Sequence, residues 1–253
     1  MTGADAAADS PFELDAMARA LRYQEWIANT VAPHLGARIL EVGSGIGTMT
    51  RWLAERAPSI ATDIDGRLLA RLQLAAPTWP VAPEAVLDFD IVGFSQAPAV
   101  MHDVDTVISF NVLEHIGDDE GAVRGMWRVL EQCGPDTRAR RVIIFVPAHQ
   151  WAHGSIDVTF GHFRRYRRES LVDLITRTAP GPVHVHARYF NTFGLPGWYF
   201  MGKVLKRTTF GMGSVKTMER LIPLFRRLDP LLHSHRDLPL GQSVLAIAEI
   251  PPG

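Results

Sequence analysis

Hydrophobic and polar positions along this chain switch between two periods. From Pro11 to Leu35 the apolar residues Met17, Leu21, Trp26, Ile27 and Val31 recur at helical spacing, which predicts two helices. Ile39 to Val42 reads as a strand and Met49 to Ala54 as a helix start. Ser59 to Thr62 is a second strand, followed over Ile64 to Leu74 by a helix with Leu68, Leu69 and Leu72 on one face. Asp65 is expected to cap that helix. Val86-Leu87 belongs to a third strand, Val104 to Phe110 to a buried fourth, and Gly117 to Leu130 to a helix. Arg141 to Val146 is a continuous apolar fifth strand, buried on both faces. Val183 to Phe190 alternates as a sixth strand, and Gln242 to Glu249 forms an antiparallel seventh. This order predicts an α/β fold: a Rossmann-like, seven-stranded, mostly parallel sheet with helices on both faces. About fifty residues, 191–241, separate the last two strands and predict a helical insert. Residues 1–10 are expected to be disordered, leaving 11–253 as one domain.

Between the first strand and the first following helix lie Gly43, Gly45 and Gly47. A glycine turn at a helix N-terminus lets a ligand approach the backbone and presents unpaired N–H groups to it. Asp63 ends the second strand twenty residues after Gly43, where a carboxylate accepts hydrogen bonds from ribose hydroxyls. A dinucleotide fingerprint needs its third glycine at position 48 or 50, and both are threonine, Thr48 and Thr50.

The run Glu41-Val42-Gly43-Ser44-Gly45-Ile46-Gly47 instead resembles motif I of the class I S-adenosylmethionine (SAM)-dependent methyltransferases, and Asn111-Val112-Leu113-Glu114-His115-Ile116 resembles the segment after their fourth strand. The resemblance extends from about Tyr23 to Glu249. It implies SAM as cofactor and assigns Glu41, Gly43, Ser44, Gly45, Asp63, Ile64, Asn111 and Val112 to it. Asp88 is assigned to the adenine amino group with Phe89 beside it, Asp90 being a substitute. Arg22 to Gly36 resembles the N-terminal lid of one subgroup, whose aromatic at Tyr23 would cover the sulfonium by cation–π attraction. Trp26 is expected to pack under the sheet. Gly161-His162-Phe163-Arg164-Arg165-Tyr166 resembles a subgroup from bacterial secondary metabolism or surface-glycan pathways, which implies a small-molecule acceptor, methylated at O or N, or else a sugar or lipid-linked intermediate. A SAM-binding module without catalysis is the alternative class.

Composition narrows the partners. With 47% hydrophobic residues in 253 the chain can bury a full core, and a formal net charge of −1 gives no field that gathers nucleic acid. The single cysteine, Cys133, excludes a disulfide framework, and no His/Asp/Glu spacing predicts a metal site; His233 and His235 stand isolated in a loop-like stretch. No run of eighteen apolar residues predicts a membrane span, and the Ala/Asp-rich start lacks the basic flank of a secretion signal, so a cytoplasmic location is expected.

Chemistry concentrates after the fifth strand. His162, His115 and His149, with Tyr166, are candidates to take a proton from the acceptor, and each also has a structural reading. Of the arginines at 164, 165, 167 and 168, Arg164 and Arg165 either clamp an anionic group on the acceptor or hold the loop by ion pairs. The insert opens with Trp198 and Tyr199, expected to wall the acceptor. Its second half sets Leu221, Ile222, Leu224, Phe225, Leu228 and Leu231 on a helix with Arg220, Arg226 and Arg227 outward. That helix caps the pocket, forms the face of a homodimer, or lies on a membrane surface.

Overall fold

The structure, a computed structural model, describes residues 12–209, 211–235 and 238–252; the expectation of disorder at 1–10 lies outside them. Helices α1 (Phe12–Ala18) and α2 (Leu21–Val31) lead into β1 (Ile39–Val42). Then come α3 (Thr50–Ala54), β2 (Ser59–Asp63), α4 (Gly66–Ala75), β3 (Ala85–Asp88), β4 (Thr106–Phe110), α5 (Asp119–Cys133) and β5 (Arg140–Pro147). The chain continues through α6 (Ser155–Thr159), α7 (Arg168–Thr178), β6 (His184–Phe190), α8 (Gly194–Tyr199), α9 (Met212–His235) and β7 (Ser243–Ile250). Asp65 caps α4 by accepting from the Arg67 N–H at 2.9 Å.

The sheet order is β3-β2-β1-β4-β5-β7-β6. Strands β1 to β5 pair in parallel, and β7 runs antiparallel between β5 and β6. The carboxyl ends of β1 to β6 therefore share one edge, with the topological switch between β1 and β4. The central strands are buried on both faces. One face packs Val123, Met126, Trp127 and Leu130 of α5 and Leu171, Leu174 and Ile175 of α7. The other packs Tyr23, Trp26 and Ile27 of α2 with Val215 and Ile222 of α9.

The insert divides into two parts. Helix α8 continues as a π-helical turn, Phe200–Val204, which packs on α6. Helix α9 packs against α1, α2 and β6 instead, so only the first half of the insert packs on the segment that follows β5, and α9 does not cover that segment as a cap would. Leu221, Leu224, Leu228 and Leu231 of α9 are exposed, and His233 sits within α9, not in a loop, bonded to the Thr192 hydroxyl at 3.0 Å. The helix is held by buried Asp229, whose carboxylate accepts the N–H groups of Asn191 at 3.1 Å and Thr192 at 2.7 Å. No helix among the described residues is long and apolar enough to cross a membrane.

Asp229→Ala strands both N–H groups at the end of β6, and a hydrogen bond to a charged acceptor contributes ~1.5–3 kcal/mol. Urea unfolding should show a loss of about 3 kcal/mol, and Asp229→Asn, which keeps one acceptor, a smaller one.

Candidate active site

The glycine turn between β1 and α3 is shaped for close approach. Gly43, Gly45 and Gly47 have φ of 70°, 55° and 86°, a region that side chains with a Cβ rarely adopt. A Cβ on Gly43 would lie 2.4 Å from Val112, and one on Gly47 2.5 Å from Trp79, so these two are also required by packing. At Gly45 the nearest atoms are those of Leu14, at 3.9 Å, and α1 thus reaches over the turn. Asp63 organises the turn: its carboxylate accepts from the Gly45 N–H at 2.8 Å and the Asp65 N–H at 3.0 Å. Ile64 beside it is exposed, and Asp88 stands in register with Asp63 on β3. The buried hydroxyls of Ser44 and Thr48 have no partner. Unpaired hydroxyls, left-handed glycines and an acid at the end of β2 fit the uncharged ribose and the amino-acid portion of SAM. Glu41 lies beneath, hydrogen-bonded by the Thr50 hydroxyl at 2.5 Å. Burial pushes it up to about 7; the Thr50 bond opposes this and the Asp63 charge adds to it.

Asn111, with φ of 53°, turns the chain out of β4 and is exposed; Val112 abuts Gly43. The next turn, Leu113–His115, brings a second group of side chains to within a few residues of the glycine loop. Asp157, fully buried, is its centre. Its carboxylate binds His162 Nδ1 at 2.8 Å and Arg165 Nε at 2.7 Å, and accepts the Gly154 N–H at 2.8 Å and the Trp198 indole N–H at 3.4 Å. Burial alone would raise the Asp157 carboxyl, but the His162 bond and the Arg165 charge hold it well below the usual range. The carboxylate accepts the proton of Nδ1 in a hydrogen bond and turns Nε2 away from Asp157. The ring of His115 lies edge-on to that of His162 at 4.7 Å. Although His115 keeps an exposed side, the protein around the rest of it, and then His162, lower it to about 4.

Glu114 is buried with neither oxygen partnered, and burial pushes it up to about 8 against the Arg165 charge. Ligand atoms of Glu114, His115 and His162 lie within 4.8 Å of one another, a group of donors that sequence spacing did not reveal and that could hold a metal ion. The Arg165 charge that reaches Glu114 opposes a cation there; a proton is the better occupant.

Several expectations are corrected. Tyr23 does not lie over the glycine turn. Its ring packs on Trp26 and Phe190, with hydroxyl partners in Ser243 and Asn191 near β6 and β7, because α2 buries its aromatic face in the core. The Phe89 ring is buried against Phe94, and its N–H is taken by the Asp63 carbonyl at 3.1 Å. Asp90 accepts from the Val92 N–H at 2.9 Å. His149 is stacked between Trp151 and Tyr189, with Nε2 on the Gly241 N–H at 3.4 Å. Tyr166 donates to Asp119 at 2.8 Å, and burial raises it far above neutral pH, so it is no base. Arg164 pairs with Asp119 at 2.7 Å and Arg165 with Asp157, so neither is a free clamp. Trp198 lies 4.7 Å under the Arg165 guanidinium, and exposed Tyr199 touches Trp151 at 5.6 Å. Asp157 and Glu114 were missed as functional residues. An acid five positions before His162, in front of a run of arginines, was the available signal for the first.

Residues 40–135 match the family model described as "Methyltransferase domain". A ribosomal RNA small subunit methyltransferase A from Thiobacillus denitrificans is 29% identical over 109 residues, 42% of this chain and 43% of that protein, so the match spans less than half of either. A SAM-dependent methyltransferase from Archaeoglobus fulgidus aligns with a TM-score of 0.53 at 13% identity, covering 90% of this chain and 94% of that one. The [4+2]-cyclase SpnF aligns with a TM-score of 0.57 at 14% identity, covering 90% and 80%. These two likenesses are of fold.

The two raised carboxyls carry a pH signature. Each contributes stability that is complete below the unfolded value near 4.5 and is lost as pH rises through its folded value, about 7 for Glu41 and about 8 for Glu114. The lowered histidine His115 acts oppositely, but only below about 6.5. Unfolding of the ligand-free protein should therefore become easier from about pH 4.5 to 8, most steeply between 6.5 and 7 where His115 no longer offsets the two carboxyls, and Glu114→Gln should remove most of that fall; a fall unchanged in Glu114→Gln counts against a raised Glu114.

Proposed function

We propose that the chain is a class I SAM-dependent methyltransferase that methylates an O–H or N–H group of a small molecule, with His162 taking the acceptor's proton. The reading rests above all on the Asp157–His162 pair, which the His115 ring and the Phe163 N–H bond to the Glu114 carbonyl hold beside the turn that follows Val112 and the glycine loop. SAM, when bound, supplies a methyl group already activated by its sulfonium, so the protein's part is alignment, exclusion of water and handling of a proton. Gly43, Ser44, Gly45 and Asp63 hold the cofactor, with Glu41 beneath, Ile64 against the adenine and Asp88 at its amino group. Asn111 and Val112 border the transferred group. His162, oriented by Asp157, accepts the proton on Nε2, and His115 beside it stays neutral at physiological pH. Trp198 and Tyr199, with exposed Trp151 and Phe163, line an aromatic rim suited to an acceptor with an apolar part. A lipid-linked or glycosylated acceptor fits the same rim. A second reading, an RNA acceptor, is favoured by the ribosomal RNA methyltransferase relative. The exposed aromatic side chains of the rim, suited to an apolar acceptor, weigh against it.

Formation of S-adenosylhomocysteine from SAM with a metabolite extract, and in parallel with small-subunit ribosomal RNA, separates the readings. His162→Ala should lower kcat by roughly 10²–10⁴-fold with SAM affinity intact. Near-normal turnover in that variant rejects His162 as base. Asp63→Ala should weaken SAM binding at least ~10-fold by calorimetry, because two hydrogen bonds to a charged group are lost. Unchanged affinity in the folded variant removes Asp63 from the cofactor site.

A further inference from the structure

Helix α9 has three faces. Val215, Ile222 and Asp229 are buried, and Met218 and Phe225 half-buried, on the side toward the protein. A second stripe lies about 120° around the axis. It consists of Leu221, Leu224, Leu228 and Leu231, which are 40%, 52%, 36% and 57% exposed. Lys216, Arg220 and Arg227, all exposed, fall about 80° further round and border it. The acidic and basic residues on the remaining side are already engaged. Glu219 accepts the N–H groups of Arg22 and Tyr23, and Arg226 approaches Glu25 at 3.7 Å. The outward surface of α9 is thus four leucines edged by three cations.

The composition repeats just upstream. Phe200, Val204 and Leu205 are exposed beside Lys203, Lys206 and Arg207. From Lys203 to Arg227 the chain holds seven Lys and Arg against one acid, Glu219, within a protein whose net charge is −1. A cleft of about 380 Å³ between α1 and α9, lined by Arg19, Val215, Lys216, Glu219 and Arg220, opens at the N-terminal end of the stripe.

We propose that α9 and the preceding turn dock on an anionic lipid bilayer, with the leucine stripe entering the interface and the bordering cations reaching the headgroups. A row of apolar side chains flanked by long basic ones is what such a surface binds: the leucines leave water, and the Lys and Arg stems extend back to the phosphates. Charge decides against the other occupant, a second copy of this chain. Among the described residues of this face the acids are already engaged, Glu219 by Arg22 and Tyr23 and Glu25 by Arg226, so a copy has little to meet Lys216, Arg220 and Arg227, whereas a bilayer of anionic lipid offers phosphates. The proposal is independent of the acceptor's identity.

Co-sedimentation of the full chain tests it, with vesicles of mixed phosphatidylglycerol and phosphatidylcholine compared with phosphatidylcholine alone. Binding should be at least ~10-fold stronger on the anionic vesicles, at roughly five-fold per cation near the surface, and should fall at high salt. Leu224→Glu with Leu228→Glu should abolish it, and Arg220→Glu with Arg227→Glu should weaken it at least ~10-fold on anionic vesicles. Leu74→Glu, at an 80% exposed site on α4, should leave it unchanged. These positions are solvent-facing, and a thermal melt with a SAM titration verifies that each variant is folded. Absence of binding by the parent chain, or equal binding by the leucine pair, overturns the proposal. So does a dimer in light scattering that the leucine pair converts to monomer without any change on vesicles, which would assign the face to a second copy.

Discussion

The loop and helices that follow β5 are built around one buried anion. Asp157 lies wholly out of water, where an unpaired carboxylate is untenable, and it collects a guanidinium, an imidazole, a backbone N–H and an indole N–H from three parts of the chain. Each partner fixes a different piece of the wall. Arg165 also donates to the Ala148 carbonyl at 3.1 Å and so ties the loop to the exit of β5. Trp198 brings in the insert, and Gly154 starts α6. Replacing Arg165 would leave the buried charge poorly compensated, and the loss would spread through all three segments instead of one contact. The arginine that looks from its neighbours like a substrate clamp is therefore part of the frame that holds the histidine.

Backbone strain lies along the same edge of the sheet. Asn111, His149 and Asn191 follow β4, β5 and β6 and have φ of 53°, 65° and 58°, left-handed values that cost a non-glycine residue of order 1 kcal/mol. Each is held by contacts to neighbouring strands or loops. The Asn111 N–H donates to the Phe145 carbonyl at 2.7 Å, the His149 ring is stacked on both faces, and the Asn191 amide donates to Gln242 at 2.7 Å. The left-handed kinks let successive strands end abruptly and turn their following loops away from the sheet. The carboxyl edge is thereby left open at the switch point between β1 and β4.

The sheet was legible because its signals are local. Apolar runs, the alternate glycines and the acid twenty residues on each report a neighbour in sequence, and the glycine turn and Asp63 sit where those signals put them. The cluster around Asp157 was not legible, because its contacts are made across distance. His149, His162 and Tyr166 read alike as histidines and a tyrosine after a strand. Only the fold stacks one between Trp151 and Tyr189, points another at Asp157 and ties the third to Asp119. Tyr23 failed for a related reason: helical periodicity says that an aromatic ring is buried, but not whether it is buried against a ligand or against Phe190. The three donors Glu114, His115 and His162 are invisible to any spacing rule, since forty-six residues separate the second from the third.

Net charge misled in the same way, and the insert shows how. A balance of −1 over the whole chain suggests that no surface field exists. Yet Asp229 is spent on the N–H groups that end β6, and Glu219 on those that begin α2, so both acids of α9 up to that point face inward. The cations that balance them in the count remain on the outside. A helix whose acids are used to attach it is basic on its free face by subtraction. It is this geometry, not the composition, that sets what the face attracts. The insert thereby serves two surfaces at once. Its first half closes the wall around Asp157 through Trp198, and its second half keeps its anchors on the protein side and its leucines and cations on the other.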